Sequence, residues 1–136
     1  MSRKKRRSGC PISFALELFG DRWTLLVVRD LVFMGKRRFS EFSASSEGVA
    51  TNVLSDRLRR LVEAGVIESL GDPDDGRRVL YHLTPAGVAL IPTLVELANW
   101  GALHDPDTAA PAEFVRRFAR DRAGLIEDLA AKHRRD

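Results

Sequence analysis

The feature that most constrains this chain is a change of period at Gly65. Over residues 49–65 (VATNVLSDRLRRLVEAG), Leu54, Leu58, Leu61 and Val62 recur at helical spacing, so one face is apolar and requires a core. Gly65 follows the last periodic residue, where a left-handed C-terminal cap belongs. Past it, residues 66–70 are short and β-prone, and residues 71–76 (GDPDDG) are dense in turn formers. Residues 77–83 then alternate, with Val79, Tyr81 and Leu83 on one face. A helix stopped by glycine and followed at once by strand, turn and strand predicts a helix with a β-hairpin at its side.

The polar face of that helix carries Asn52, Ser55, Asp56 and Arg59. Amides, hydroxyls and a guanidinium are the groups that read base edges in a major groove. On this stretch alone, an ordinary surface helix with its polar side in water explains the pattern as well. Upstream, residues 39–46 (FSEFSASS) form a shorter amphipathic piece, joined to the helix by a Glu47-Gly48 turn. Two short helices with glycine between them predict a helix-turn-helix, whose second helix enters the groove. Arg77 and Arg78 then stand beside the hairpin tip, where a wing meets the DNA backbone or minor groove.

The remaining segments are expected to enclose this unit. Residues 1–9 read as a disordered basic arm. Pro11 suits the first turn of a helix over residues 12–19 that Gly20 ends. Asp21 caps the next helix, residues 21–34 (DRWTLLVVRDLVFM), in which only Arg22, Arg29 and Asp30 require water; this is the expected central core helix. Thr84-Pro85 opens a helix expected to reach about Trp100, kinked at Pro92. Residues 101–111 read as a linker. A last helix from Glu113 to about His133 bears the stripe Phe114, Phe118, Leu125, Ile126 and Leu129. Beyond a complete domain that stripe has little left to cover in its own chain, so it is expected to pack on a second subunit. The fold class is mainly α with a small β-hairpin wing, divided as an arm (1–9), a winged domain (10–101) and a linker with a dimerisation helix (102–136).

Composition sets limits on the alternatives. The chain has 136 residues, 44% of them hydrophobic and 30% charged, as in a soluble globular domain. No apolar run approaches a membrane span, and Glu17, Asp21 and Arg22 interrupt any signal-peptide core, so a cytoplasmic location without membrane attachment is expected. Net charge is +3, but Arg3, Lys4, Lys5, Arg6 and Arg7 supply five cations, so the rest of the chain is net negative. A nucleic-acid footprint must therefore come from local clusters: Lys36-Arg37-Arg38, Arg57 with Arg59 and Arg60, and Arg77-Arg78. The single cysteine excludes an intrachain disulfide and a multi-cysteine zinc site. His82, His104 and His133 lack metal-ligand spacing, and residues 72–83 fit a calcium loop poorly because Leu83 stands where a bidentate glutamate belongs. No nucleophile elbow, phosphate-binding loop or dinucleotide fingerprint is present, so neither an enzyme nor a cofactor is expected.

The segments Cys10-Pro11, 20–26 (GDRWTLL), 38–42 (RFSEF), 48–58 (GVATNVLSDRL), 63–65 (EAG), 81–87 (YHLTPAG) and Trp100-Gly101 together resemble the HxlR-type winged helix-turn-helix transcription regulators, relatives of the MarR type. The resemblance spans roughly residues 10–101. It implies a homodimeric, sequence-specific DNA-binding regulator, with two alternatives left open: a MarR-type ligand-responsive regulator, and a winged-helix module that contacts only protein. On this fold Thr51, Asn52, Ser55 and Asp56 lie near bases and Arg59 near the groove, with Asp56 either accepting from a cytosine or fixing Arg59 or Arg60. Arg77 and Arg78 lie on backbone or minor groove, and Lys36, Arg37, Arg38 and Ser40 hold phosphates. The family commonly has a small hydroxyl residue where Ala50 stands, so Thr51 is expected to cap the helix in its place. A cysteine at the Cys-Pro position senses oxidants or electrophiles in some members. Cys10, at the start of a helix and near Lys5, Arg6 and Arg7, is either such a sensor, paired with its copy across a dimer, or an inert packing residue.

Overall fold

The computed structural model describes residues 7–134, and most of the expected basic arm lies outside them. Helix α1 (Pro11–Phe19) leads to α2 (Thr24–Val32), and Asp21 begins α2 as expected: its Oδ2 accepts the amides of Trp23 (2.9 Å) and Thr24 (3.2 Å). Val28 and Leu31 of α2 are fully buried, which makes it the central helix. Asp30, expected to need water, is instead buried. The Arg29 guanidinium (2.9 Å) and the Lys36 ammonium (3.3 Å) replace the lost solvent with opposite charge.

Helices α3 (Phe39–Ser43) and α4 (Thr51–Glu63) form the predicted pair. Leu54, Leu58 and Leu61 of α4 are almost completely buried beside Val28, Leu31 and Phe42. Gly65 takes φ +76°, the left-handed conformation that glycine adopts without steric cost and that ends the helix. The cap at the other end differs from expectation. Thr51 is already helical, and Ala50, extended at φ −68° and ψ 144°, occupies the capping position with no side-chain bond.

Strands β1 (Ile67–Asp72) and β2 (Asp75–Leu83) pair antiparallel, Ile67 opposite Leu83 and Leu70 opposite Leu80, with an irregularity between Gly71 and Asp72. The strands reach further than the turn-rich composition suggested, and only Pro73 and Asp74 remain between them. The predicted β2 face grades from exposed Val79 through half-buried Tyr81 to buried Leu83, as the hairpin leaves the core.

Thr84 caps α5 (Pro85–Val88), accepting from the Gly87 amide at 3.2 Å. A Cβ on Gly87 would lie 2.2 Å from the Val66 carbonyl, so glycine lets α5 sit directly on the root of β1. Pro92 does more than kink the next helix. The chain breaks at Ala89-Leu90 and restarts as α6 (Ile91–His104), with Pro92 in its first turn. There its missing N–H and its clash with the carbonyl four residues back cost nothing. Helix α6 runs past Trp100, which narrows the expected linker to residues 105–111 and puts the expected boundary at 101 inside a helix. By length and composition alone, residues 85–104 are apolar enough to cross a membrane (mean hydropathy 1.4), contrary to the reading of the sequence. In the fold they form two helices, and Ile91, Leu94 and Val95 belong to the core.

Helix α7 (Ala112–Ala131) corrects a second expectation. Its stripe does find cover in its own chain: Leu125 is buried, and Phe114, Phe118, Ile126 and Leu129 pack against the core. The Phe114 ring meets Phe33 edge-on at 6.2 Å. The most exposed large apolar side chains lie elsewhere, at Ile12 and Leu16 of α1, at Met34 beyond α2, and at Leu97, Trp100 and Leu103 of α6. The order α1 to α4 followed by a two-stranded hairpin is a winged helix-turn-helix.

Candidate nucleic-acid interface

Burying Leu54, Leu58 and Leu61 turns the other side of α4 outward, because residues at those spacings share one helix face. Thr51, Asn52, Ser55 and Arg59 are exposed there. Asp56 is not offered to a partner in the same way. Its Oδ1 accepts from Arg59 Nη2 and its Oδ2 from Arg57 Nη1, each at 2.5 Å. Burial pushes the Asp56 carboxyl up, but the bonds from Arg59 and Arg57 outweigh it and hold the group below the ordinary aspartate value. Of the two places expected for Asp56, against a base or holding an arginine, its contacts in this chain match the second: both oxygens meet arginines, one of them Arg59. Glu63 Oε1 takes the other arm of Arg59 at 3.0 Å.

Arg57 carries the orientation of α4 to the rest of the domain. Its Nε donates to Asp21 Oδ2 at 2.8 Å, the carboxylate that also caps α2 and accepts the Thr24 hydroxyl. Burial raises the Asp21 pKa, yet the bonds from Thr24, Arg57 and the Trp23 amide together hold it well below the ordinary carboxylate range. The turn before α4 is tied as well. Glu47 receives Arg29 Nη1 (3.2 Å) and Arg22 Nη2 (3.3 Å), so two arginines of the α2 region hold the link between α3 and α4.

The four residues expected to hold phosphate divide. Ser40 is exposed. Lys36 pairs with the buried Asp30. Arg38 spans from the start of α3 to the wing, its Nη2 3.0 Å from Asp72 Oδ2; the Asp72 side chain is 1% exposed and that of Arg38 41%. Arg37 differs from the other three. Its Nη1 donates to the carbonyls of Leu31 (3.2 Å) and Lys36 (2.8 Å), and its Nη2 to His133 Nδ1 (3.1 Å). Burial lowers its pKa, against the opposing pull of Glu41. Three of its five N–H groups thus face inward partners, which turns half-buried Arg37 away from the surface that Arg38 and Ser40 share.

At the wing, the Arg77 side chain is 94% exposed and that of Arg78 59%. Asp75 lies 3.7 Å from the first and 3.3 Å from the second, loose enough for both to exchange it for a stronger anion. Cys10 is exposed at the N-terminus of α1 and its amide donates to Ser8 Oγ. Arg29, Glu47, Asp72 and His133 were not identified from the sequence as parts of this arrangement, and Arg57 was seen only as a member of a basic cluster. Their partners lie 18 to 101 residues away, and only the charge of each was visible in the chain.

Residues 18–108 match the HxlR-like helix-turn-helix family. An uncharacterised HTH-type transcriptional regulator of Mycobacterium tuberculosis is 41% identical over 106 residues, which cover 78% of this chain and 66% of that protein. This chain thus spans just under two thirds of that relative. YvaP of Bacillus subtilis, another HTH-type transcriptional regulator, is 37% identical over 67% of the chain and 84% of its own length. Among solved structures, PA1607 superposes with a TM-score of 0.69 at 40% identity, covering 78% of this chain and 74% of that one. The redox regulator HypR in its oxidised form superposes at 0.62 and 27% identity, over 70% and 97% of the two chains.

Proposed function

The chain belongs to the HxlR-like helix-turn-helix family of DNA-binding transcription regulators, and from that premise we propose that it acts as a homodimer on a specific duplex operator. The observation that carries this reading is the exposed row Thr51, Asn52, Ser55 and Arg59 on α4, flanked by a wing whose Arg77 and Arg78 reach into solvent. Asn52 and Ser55 read base edges, Arg59 enters the groove, and the wing arginines and Ser40 meet the backbone. Arg38 reinforces the wing through Asp72 and keeps one side of its guanidinium toward the DNA, with Lys36 adding charge nearby.

The dimer is supported by the apolar surface that α7 does not cover. Ile12 and Leu16 on α1, with Leu97, Trp100 and Leu103 on α6, are 51–70% exposed, and helices presenting several such residues each suit a shared interface. Sedimentation at micromolar concentration is expected to show a dimer, and Trp100→Glu a monomer; a wild-type monomer refutes the assembly. Gel shift with the DNA upstream of the protein's own gene tests the function. A discrete complex that survives excess unrelated duplex is expected, and its absence with every promoter region nearby favours a protein-contact module instead.

Control of binding by thiol oxidation or by a small-molecule effector belongs to the same proposal, supported by the likeness to HypR, which is named a redox regulator. Exposed Cys10 at the start of the outward-facing α1 is the group that would respond. Two copies joined by oxidation would lose two thiol protons and two electrons to the oxidant and gain one S–S bond. Diamide is expected to produce a reducible dimer band and to change operator affinity, both abolished in Cys10→Ser. An equal response of wild type and variant makes Cys10 a packing residue.

A further inference from the structure

We propose that His133, beyond the stretch that matches the family, is a positioning residue for the DNA-reading head; the inference rests on the DNA-binding reading above. His133 is 6% exposed and sits just past the end of α7. Its Nε2 lies 3.0 Å from the Val32 carbonyl at the end of α2, and its Nδ1 3.1 Å from Arg37 Nη2. A carbonyl only accepts and a guanidinium only donates. The two contacts therefore require the neutral ring with its proton on Nε2.

Arg37 is the joint through which this contact spreads. Its guanidinium ties the last turn of α2, through the Leu31 carbonyl, to the turn that follows it, through the Lys36 carbonyl. Its own amide donates to Glu41 Oε1 at the first turn of α3 (3.0 Å), and its carbonyl accepts the amide of Tyr81 in β2 (2.8 Å). One residue thus touches the core helix, the entry to the helix-turn-helix, the wing strand and, through His133, the C-terminal helix. Without the imidazole, the guanidinium loses the partner that, among the described residues, holds it from the side of α7. The inward Arg37 can then turn to solvent, and the distance between α3 and β2 is no longer set.

The test compares His133→Ala with His133→Gln. The glutamine amide keeps a donor and an acceptor on one carbon, as imidazole keeps its two nitrogens on Cε1, and so can satisfy both Val32 and Arg37. Hydrogen exchange reads the joint directly. The Tyr81 amide is expected to lose at least tenfold of its protection in His133→Ala and to regain it in His133→Gln, well below the melting temperature of each. Binding of sonicated bulk duplex DNA over a salt series reads the consequence: affinity falls and its salt dependence flattens in His133→Ala, and both return in His133→Gln. If His133→Ala lowers the melting temperature but leaves Tyr81 protection and the salt series of the folded protein unchanged, His133 only supports α7 and the inference fails. A wild type that binds no duplex refutes the functional reading on which the inference rests; exchange at Tyr81 would still show separately whether His133 sets the joint.

Discussion

Helices α4 and α7 are both amphipathic, and both bury a leucine-bearing face against the same core, yet their other faces differ in chemistry. On α4 the outward residues Thr51, Asn52 and Ser55 are exposed. On α7 many outward charges close on one another or on neighbours: Arg116 with Glu113 (3.0 Å), Arg117 with Asp128 (2.5 Å), and Arg122 with Glu96 of α6 (2.5 Å). The lesson is that an apolar stripe says a helix has a buried side without saying against what. The polar sides differ in composition: that of α4 carries the neutral hydrogen-bonding groups Thr51, Asn52 and Ser55 beside the Arg59 ion pairs with Asp56 and Glu63, whereas that of α7 is mainly charged and paired.

The contrast can be broken first at the buried sides. Leu58→Ala, at 1% exposure in the middle of the core, is expected to cost about 2–5 kcal/mol of stability in urea unfolding. Leu125→Ala on α7, at 8% exposure, belongs at the low end of that range. A larger loss at Leu125 would make α7 the principal support of the fold. The outward sides come next. Asn52→Ala is expected to leave stability within about 0.5 kcal/mol while costing roughly 1–3 kcal/mol of operator affinity at particular base pairs. Arg120→Ala on α7 should change neither, and equal effects of the two on affinity would dissolve the distinction.

A smaller effect separates base reading from backbone contact. Arg77→Ala is expected to weaken binding to all sequences alike and to flatten the dependence of log affinity on log salt by about 0.9, the release expected for one phosphate. The smallest effects are those of pH. The amides of Arg37 and Arg38 hold the Glu41 carboxyl below its ordinary 4.5, so its contribution is fully present above that value and is lost as pH falls through the depressed one. Glu41→Gln should shrink the acid limb of the stability profile. Burial likewise lowers the His133 pKa, with Arg37 and Lys132 adding to it and the Val32 carbonyl opposing. The unfolded chain then binds the proton more readily, so stability is complete above 6.5 and declines as pH falls below it. Thermal unfolding between pH 7 and 5 should show that slope in wild type and not in His133→Gln.

Much of the winged domain was legible in local patterns. The period of Leu54, Leu58 and Leu61, the glycine stop at 65, the alternation toward Leu83 and the Thr84-Pro85 start each depend on neighbours within a turn or a strand. Local chemistry also placed Asn52 and Ser55 on the outward face, because burying three leucines fixes the rotation of the helix. It could not say that Arg37 faces inward while Arg38 reaches the wing. Consecutive cations look alike in a chain, and their directions depend on the carbonyls, the carboxylate and the imidazole that the fold brings to each.

The sequence by itself determined the helix-turn-helix, the hairpin and the face of α4 that meets solvent, since helical and strand periods are short-range properties of the backbone. Only the tertiary structure decided what α7 covers, which charges remain available at the surface, and that His133 meets Arg37 from 96 residues away. Those outcomes depend on which surfaces remain exposed after the core closes, and on partners too distant in the chain for any local period to encode.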